Sequence, residues 1–230
     1  MENRTFSMIS TSLRFLKERL LTPFLDIIFP RPNISRQLET MSENEFIGKA
    51  ALCIHTDGTA IPVNIGPHLA LLRYRNPHAQ AAIRDAKYKK SIRAGILLAG
   101  AAFPAISALV AKGAVIVPVP ASASRRRARG YNQVEFILDH LPKRATGTLI
   151  VRTDLLEKTR EALSQTETAD RAERKRNLHG CFLVRAPRDV EGKTFIVVDD
   201  VLTTGATLDE ARRALTAAGA REVITFALAH

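Results

Sequence analysis

The sequence predicts an α/β protein built on a mostly parallel sheet, with a small appendage at its N-terminal end. From about residue 94 onward, apolar strand segments alternate with helical segments, which is the order that a parallel sheet requires. The strongest strand, Lys193–Val198, is an unbroken apolar run between turn residues and is typical of a strand buried on both faces. The helix predicted at 208–218 closes at Gly219, where a glycine ends helices most readily.

The other elements follow in chain order. A short helix is predicted near residues 43–52, and residues 68–93 have a cation-rich helical pattern. Residues 94–111 carry no charge over 18 positions, near the lower limit for a membrane span, but Pro104 favours a buried core helix broken or kinked there. The remaining predictions are strands at 114–119, 149–152, 182–185 and 223–229, a basic loop at 121–130 and a helix at 132–141.

Residues 1–65 are predicted to form the appendage and residues 66–230 the main domain, because a polar stretch follows Phe29-Pro30-Arg31-Pro32. Apolar residues between Leu13 and Ile28 recur near helical spacing, which predicts an amphipathic helix. Packing on its own domain is the preferred interpretation of this helix, with membrane-surface binding as the alternative. Charges within it, such as Lys17, argue against a secretory signal.

Charge and cysteine content narrow the classes of function. The net charge of +11 favours polyanionic partners, although an ordinary solvated surface explains any single cluster equally well. The basic clusters lie at 87–93, 125–129 and 171–176. The two cysteines, Cys53 and Cys181, show no CxxC spacing, which argues against a disulfide framework or a zinc ribbon and favours a reduced, cytoplasmic setting.

The segment that carries chemistry is Phe195–Thr207, FIVVDDVLTTGAT. An apolar strand ends, Asp199 and Asp200 follow at once, and a helix is predicted to begin at Thr207. Ligands of open α/β sheets bind beyond the carboxyl ends of strands, and a helix start offers unpaired N–H groups to a phosphate. Thr203, Thr204 and Thr207 add hydroxyl donors, and Gly205 lets the backbone approach a ligand closely.

The same segment divides into two halves by chemistry. Asp199 and Asp200 offer carboxylate oxygens, which accept hydrogen bonds from vicinal ribose hydroxyls. The loop that follows suits a phosphate, so together the halves predict a sugar phosphate held at both ends. Thr207 and Glu210 also fit a T-x-x-E capping box, in which the Thr207 hydroxyl caps the helix instead of contacting phosphate.

VVDDVLTTGAT resembles the phosphoribosyl pyrophosphate motif of type I phosphoribosyltransferases, and the chain is similar over residues 68–230 to the ComF family, which is associated with DNA uptake in competent bacteria. Three further blocks carry this resemblance: VPVPASASRRRARGYNQ at 117–133, RKRNLHGCF at 174–182 and IRDAKYK at 83–89. The chain departs from the family pattern by lacking a four-cysteine zinc module after Phe29-Pro30, by Ser124 in place of an arginine and by Lys90 in place of a glycine.

The resemblance implies a type I phosphoribosyltransferase fold, with helices on both faces of the sheet, and assigns roles to residues. Asp199 and Asp200 would be the catalytic acids that bind the ribose hydroxyls, directly or through Mg²⁺. Because the chain departs from the family by lacking the four-cysteine module, no zinc is expected. The 5′-phosphate would be held by Thr203, Thr204, Gly205, Ala206 and Thr207. The pyrophosphate loop would comprise Pro120, Ala121, Ser122 and Arg125, and a flap over residues 153–176 would carry Gln165, Arg171 and Arg174.

Three functional hypotheses follow. The first is a phosphoribosyltransferase, of the glycosyltransferase class, whose acceptor the sequence does not identify. The second is a competence or DNA-uptake protein that binds single-stranded DNA; only Tyr74, Tyr88 and Tyr131 lie near basic runs as stacking residues. The third is a regulator that senses phosphoribosyl pyrophosphate without chemistry. A homodimer is an assembly that the sequence leaves open.

Overall fold

The computed structural model describes residues 34–111, 113–142, 149–159 and 179–230. The predicted N-terminal helix and the flap residues Gln165, Arg171 and Arg174 lie outside these ranges. The helices are α1 (Ile34–Thr40), α2 (Glu43–Ala50), α3 (Pro77–Tyr88), α4 (Ile92–Val110), α5 (Ala123–Arg129), α6 (Gln133–Leu138) and α7 (Ala206–Ala217). The strands are β1 (Cys53–Ile54), β2 (Ala60–Ile61), β3 (Val63–Ile65), β4 (His68–Leu72), β5 (Ala114–Pro118), β6 (Leu156–Lys158), β7 (Phe182–Val184), β8 (Thr194–Val201) and β9 (Glu222–Ala229).

The central sheet has five strands in the order β3-β4-β9-β8-β5. Four of these strands run parallel, and β3 is antiparallel to β4 at one edge. Val198 on β8 lies level with Pro118 on β5 and with Phe226 on β9. The carboxyl ends of β5 and β8 therefore meet at one edge of the sheet. Two antiparallel pairs, β1–β2 and β6–β7, form small separate ribbons.

Apolar side chains alternate between the two faces of this sheet, and each face is covered by helices. Ile196 and Phe226 point toward α3, α4 and α6, whereas Val197 and Ala227 point toward α7. Because both faces are buried, the central strands are apolar at nearly every position. The prediction of a mostly parallel sheet with helices on both faces is confirmed.

Helix α4 is continuous through Pro104, so the predicted break there does not occur. Proline removes one hydrogen bond, but Leu97, Leu98 and Ile106 are fully buried and hold the helix in the core. Among the described residues, α4 is the helix long and apolar enough to cross a membrane, and half of its most apolar window is buried in the protein.

Three other predicted elements differ from the structure. His68–Leu72 forms a strand and not a helix, because it fills the place between β3 and β9. The predicted basic loop at 121–130 contains helix α5, which Ser122 caps by accepting a hydrogen bond from Arg125 N and which Gly130 ends. The predicted strand at 149–152 contributes a single bridge from Val151 to Ile116.

Residues 34–65 pack closely on the main domain. Phe46 and Leu38, on α2 and α1, are fully buried in the same core as α3 and α4, and β3 belongs to the central sheet. The boundary at residues 65/66 stays a prediction. In this part of the chain Cys53 is exposed on β1, and nowhere among the described residues do three His, Cys, Asp or Glu side chains come together as metal ligands.

Candidate functional site

The two acids that the sequence singled out lie at the carboxyl edge of the sheet, as the strand order requires. Strand β8 runs through to Val201 and does not end at Val198, because Asp199 and Val201 still pair with β9 at Ala227 and Ala229. The acids are therefore held by the sheet itself and not by a loop. Both side chains are partly exposed.

Each carboxylate folds back onto the backbone that follows it. Asp200 N donates to Asp199 Oδ1 at 2.8 Å, and Val201 N donates to Asp200 Oδ1 at 2.8 Å. Burial, and next the charge of Asp200, raise the pKa of Asp199 well above its ordinary value, while the Lys158 ammonium opposes that rise. Two adjoining carboxylates of this kind favour a cation or hydroxyl donors beside them.

The loop after the acids leads into α7, which begins at Ala206 with Gly205 as its N-cap. Gly205 has a φ of +79°, in the left-handed region, and it has no side chain that could cap the helix. The N–H groups of the first turn thus face outward at a helix start, the arrangement that anions favour. Ala206 N donates a long hydrogen bond, of 3.4 Å, to the Thr204 hydroxyl oxygen.

The predicted capping box is wrong. Thr207 is the second residue of α7 and not its cap. The buried Glu210 carboxylate instead accepts a hydrogen bond from Gly180 N at 2.7 Å and pairs with Arg213. Burial raises the pKa of Glu210, but the bonds from Arg213 and Gly180 outweigh it, and the net shift is downward. Thr207 is half-buried and lies on the wall of the pocket described next.

One pocket is lined both by Asp199 and by the residues at the start of α7. Its wall therefore includes residues from both halves of the predicted sugar-phosphate site. The lining residues are Asp199, Val201, Leu202, Thr203, Gly205, Ala206, Thr207 and Leu208.

The predicted pyrophosphate loop leaves the sheet beside this pocket. Val119 N donates to Val198 O at 2.8 Å, so Pro120 and Ala121 follow directly next to Asp199. Ser122 is buried, and its hydroxyl lies 3.1 Å from that of Ser124. Arg125 is exposed in the first turn of α5. The loop and the acids thus occupy one edge of the sheet, whereas the flap residues lie outside the described ranges.

The sequence interpretation missed the polar groups behind the phosphate loop. His68 is buried directly behind Gly205, and the buried Thr225 lies next to it. Asp209 and Arg212 contact this pair from α7. The signal for His68 was present, since Gly66-Pro67 lies just before an apolar run of four residues, Leu69–Leu72, and this order is typical of a turn and a strand. Its nearness to residue 225 had no such signal, because it arises from the pairing of β4 with β9.

Comparisons with known proteins agree with this fold. The family model of the phosphoribosyl transferase domain matches residues 112–230. The competence protein ComFC of Streptococcus pneumoniae is 35% identical over 112 residues, which are 49% of this chain and 46% of that protein. The ComFC protein of Bacillus subtilis is 31% identical over 115 residues, covering 50% and 43%.

A third relative, the DNA utilization protein YhgH of Escherichia coli K12, is 34% identical over 114 residues, covering 49% of this chain and 48% of that protein. The chain spans about half the length of the curated relatives it matches.

Proposed function

Because the chain belongs to the phosphoribosyl transferase domain family and, within it, to the ComF family, we propose that it binds phosphoribosyl pyrophosphate and transfers the phosphoribosyl group to a nitrogen acceptor, with loss of pyrophosphate. The observation that carries this proposal is the pocket in which Asp199 adjoins the start of α7, whose N-cap residue, Gly205, has no side chain. One wall suits ribose hydroxyls and the other suits a phosphate.

The residues divide the work as follows. Asp199 and Asp200 accept hydrogen bonds from the ribose hydroxyls and orient the ring. The turn from Thr203 to Thr207 holds the 5′-phosphate through backbone N–H groups and hydroxyls, and the loop from Pro120 to Arg125 holds the pyrophosphate. As pyrophosphate leaves C1, positive charge develops on the ribose and negative charge on the leaving group, so Arg125 stabilises the departing oxygens.

Magnesium fits the donor set of this site. Two carboxylates with ligand phosphate oxygens are the partners that Mg²⁺ takes in nucleotide sites, where the ion keeps several waters. Asp199 and Asp200 would hold it, and it would supply charge neutralisation for the leaving pyrophosphate.

Release of pyrophosphate tests the transferase directly. We expect the protein, incubated with phosphoribosyl pyrophosphate, Mg²⁺ and single members of a panel of nucleobases and amines, to release pyrophosphate faster with at least one acceptor than without any. Asp200→Asn is expected to lower that rate by about 100-fold or more, since a charge-assisted contact made in the transition state is lost. Binding of the ligand without acceptor-dependent release would favour the metabolite-sensing regulator instead.

A second candidate function, binding of single-stranded DNA, is favoured by a surface that we call the tyrosine patch: Lys87, Tyr88, Lys90, Arg129 and Tyr131. Tyr88 is 67% exposed, with Lys87 Nζ and Arg129 Cζ at 5.4 and 5.3 Å from its ring centroid. Lys90 Nζ lies 5.2 Å from the Tyr131 ring. Exposed aromatics among cations are the elements on which bases stack and phosphates are neutralised. The relatives named for competence and DNA utilization support the same proposal.

Backbone strain within the tyrosine patch also supports a binding role for this surface. Lys90 has a φ of +51° and is the one non-glycine residue with positive φ in the described part of the chain. The left-handed conformation costs a side-chain-bearing residue about 1–2 kcal/mol, which a glycine would avoid. A cation held in this strained position is the observation from which we infer a functional role for the patch.

Fluorescence anisotropy with a labelled oligothymidylate tests this surface. We expect binding that weakens steeply with salt, and Tyr88→Ala to lower the affinity about tenfold, since one stacked base contributes about 1–3 kcal/mol. Tyr74→Ala is the matched control, since Tyr74 is 38% exposed beside Arg73 and Arg75 but outside the patch. Lys90→Gly should weaken DNA binding while raising the free energy of unfolding by about 1 kcal/mol. No binding at low salt, or equal effects of Tyr88→Ala and Tyr74→Ala, would contradict the proposal.

A further inference from the structure

A buried histidine lies directly behind the turn that holds the 5′-phosphate in the proposed function. His68 is 3% exposed and stands near the start of β4, on the face of the sheet that α7 covers. A Cβ atom placed on Gly205 would lie 2.5 Å from His68 Nε2. The imidazole therefore occupies the space where any other residue at position 205 would have its side chain.

The two ring nitrogens of His68 face different elements. Nδ1 lies 2.9 Å from the Thr225 hydroxyl on β9, and Nε2 lies 3.6 Å from Asp209 Oδ1 in the first turn of α7. Arg212, also on α7, donates to the Thr225 hydroxyl and, at 2.7 Å, to Pro67 O. His68, which belongs to β4, thus contacts both β9 and the start of α7.

The tautomer of the ring depends on where the Thr225 hydroxyl proton is directed. The Thr225 oxygen accepts from Arg212, and its proton can be donated either to Pro67 O or to His68 Nδ1. Pro67 O is 3.4 Å away and already accepts from Arg212, whereas His68 Nδ1 is closer, at 2.9 Å. The arrangement favours the tautomer in which Nδ1 accepts and Nε2–H faces Asp209 and Gly205.

The position of Asp209 explains why such a partner matters. Its carboxylate lies one turn inside α7, and a carboxylate near a helix start competes with a bound anion for the positive end of the helix. The His68 ring, on the sheet side of the turn at Gly205, places Nε2–H near the Asp209 carboxylate and attracts that carboxylate toward the sheet. The first-turn N–H groups then remain available to a phosphate.

We propose that His68 is a positioning residue for the 5′-phosphate: it fixes the left-handed turn at Gly205 from behind and holds the Asp209 carboxylate away from the bound phosphate. The inference rests on the proposed function, because it concerns the phosphate half of that site. It adds a residue from a distant strand to a motif that otherwise lies within one contiguous segment.

The test compares two amide variants that reach different partners. In His68→Asn the amide reaches Thr225 but places nothing behind Gly205, whereas in His68→Gln an amide NH₂ reaches the place of Nε2. We expect His68→Asn to weaken the binding of ribose 5-phosphate about tenfold, equivalent to about 1.4 kcal/mol. We expect His68→Gln to stay within about threefold of the wild type, and Asp209→Asn to restore most of the affinity in the His68→Asn background.

Magnesium pyrophosphate, which the loop from Pro120 holds, is the ligand control and should bind all these variants like the wild type. His55→Asn is the matched residue control, because His55 also faces a carboxylate, Asp57 at 3.3 Å, but in the exposed turn between β1 and β2. Equal loss of both ligands in His68→Asn, or unchanged ribose 5-phosphate binding, would overturn the role of His68 while leaving the proposed function intact. A wild-type protein that binds neither ligand would overturn both.

Discussion

Removing both strand-end carboxylates, by Asp199→Asn with Asp200→Asn, is expected to abolish the stabilisation of the protein by phosphoribosyl pyrophosphate and Mg²⁺. A ligand at 100 times its dissociation constant stabilises by about 2.7 kcal/mol, which for a chain of this size raises the melting temperature by about 5–10 °C. The double variant should show no shift, because each side chain loses its negative charge and one of its two acceptor oxygens, so the ribose contacts weaken and the metal loses its anionic partners. Differential scanning fluorimetry with and without ligand measures this.

A matched control removes two acids elsewhere. Asp57 faces His55 at 3.3 Å and Asp189 pairs with Arg152 at 2.9 Å, and both acids lie outside the pocket and the predicted flap. Asp57→Asn with Asp189→Asn should keep the full ligand-induced shift, even if the ligand-free protein melts earlier. An unchanged shift in the Asp199/Asp200 double variant would contradict the ribose assignment.

The raised pKa of Asp199 adds a second expectation for the ligand-free protein. Because burial and the Asp200 charge raise the pKa of Asp199 in the folded state, this carboxyl favours folding most below its unfolded pKa. That contribution is lost as the pH rises through the folded pKa. At neutral pH the Asp199 carboxyl therefore contributes less to folding than at low pH, and Asp199→Asn alone should melt at a higher temperature than the wild type. Melting curves from pH 4 to pH 8 should converge as the pH falls.

The second large effect is expected from Gly205→Ala. The new methyl group would meet His68 Nε2 at 2.5 Å, and the residue would keep a φ of +79°. Strain in the left-handed region costs about 1–2 kcal/mol, and overpacking against a buried side chain costs about 1–3 kcal/mol more. The turn should also shift, so that ribose 5-phosphate binding falls below detection while the protein remains folded.

Gly113→Ala separates the effect of backbone strain from the effect of overpacking against His68. Gly113 has a φ of +84° but nothing within 4 Å of the added methyl group. Urea unfolding should therefore show about 1–2 kcal/mol of destabilisation for Gly113→Ala and a larger loss for Gly205→Ala. If the two variants lose equal stability, His68 does not constrain the turn. If Gly205→Ala binds ribose 5-phosphate normally, the close approach of the backbone to phosphate is disproved.

Elements with strong local patterns were predictable from sequence. The run before Asp199 is apolar at every position, and the chain around Gly219 carries a helix end that the structure confirms. Prediction failed where local patterns were ambiguous or were overridden by tertiary contacts. His68–Leu72 became a strand because two other strands flank it, and α4 stays continuous through Pro104 because its neighbours bury it.

In the phosphate loop, too, tertiary contacts overrode a local sequence pattern. Thr207 and Glu210 match a capping box in spacing, yet the N-cap of the helix is Gly205, two residues before Thr207. Glu210 is taken by Gly180 and Arg213, which the sequence alone does not bring near it. A spacing rule describes what a local segment can do, whereas the partners available in the folded protein decide which option is used.

By itself, the sequence determined the type of site: a strand, two acids, a glycine turn and a helix lie within 13 consecutive residues, so their order already sets their geometry. Only the tertiary structure decided what stands behind that turn. His68 and Thr225 are 157 positions apart, and the parallel pairing of β4 with β9 brings them together where His68 lies behind Gly205. Contacts within one strand–turn–helix follow from local backbone geometry. Contacts between strands depend instead on which strands are neighbours in the sheet, and no short motif encodes that order.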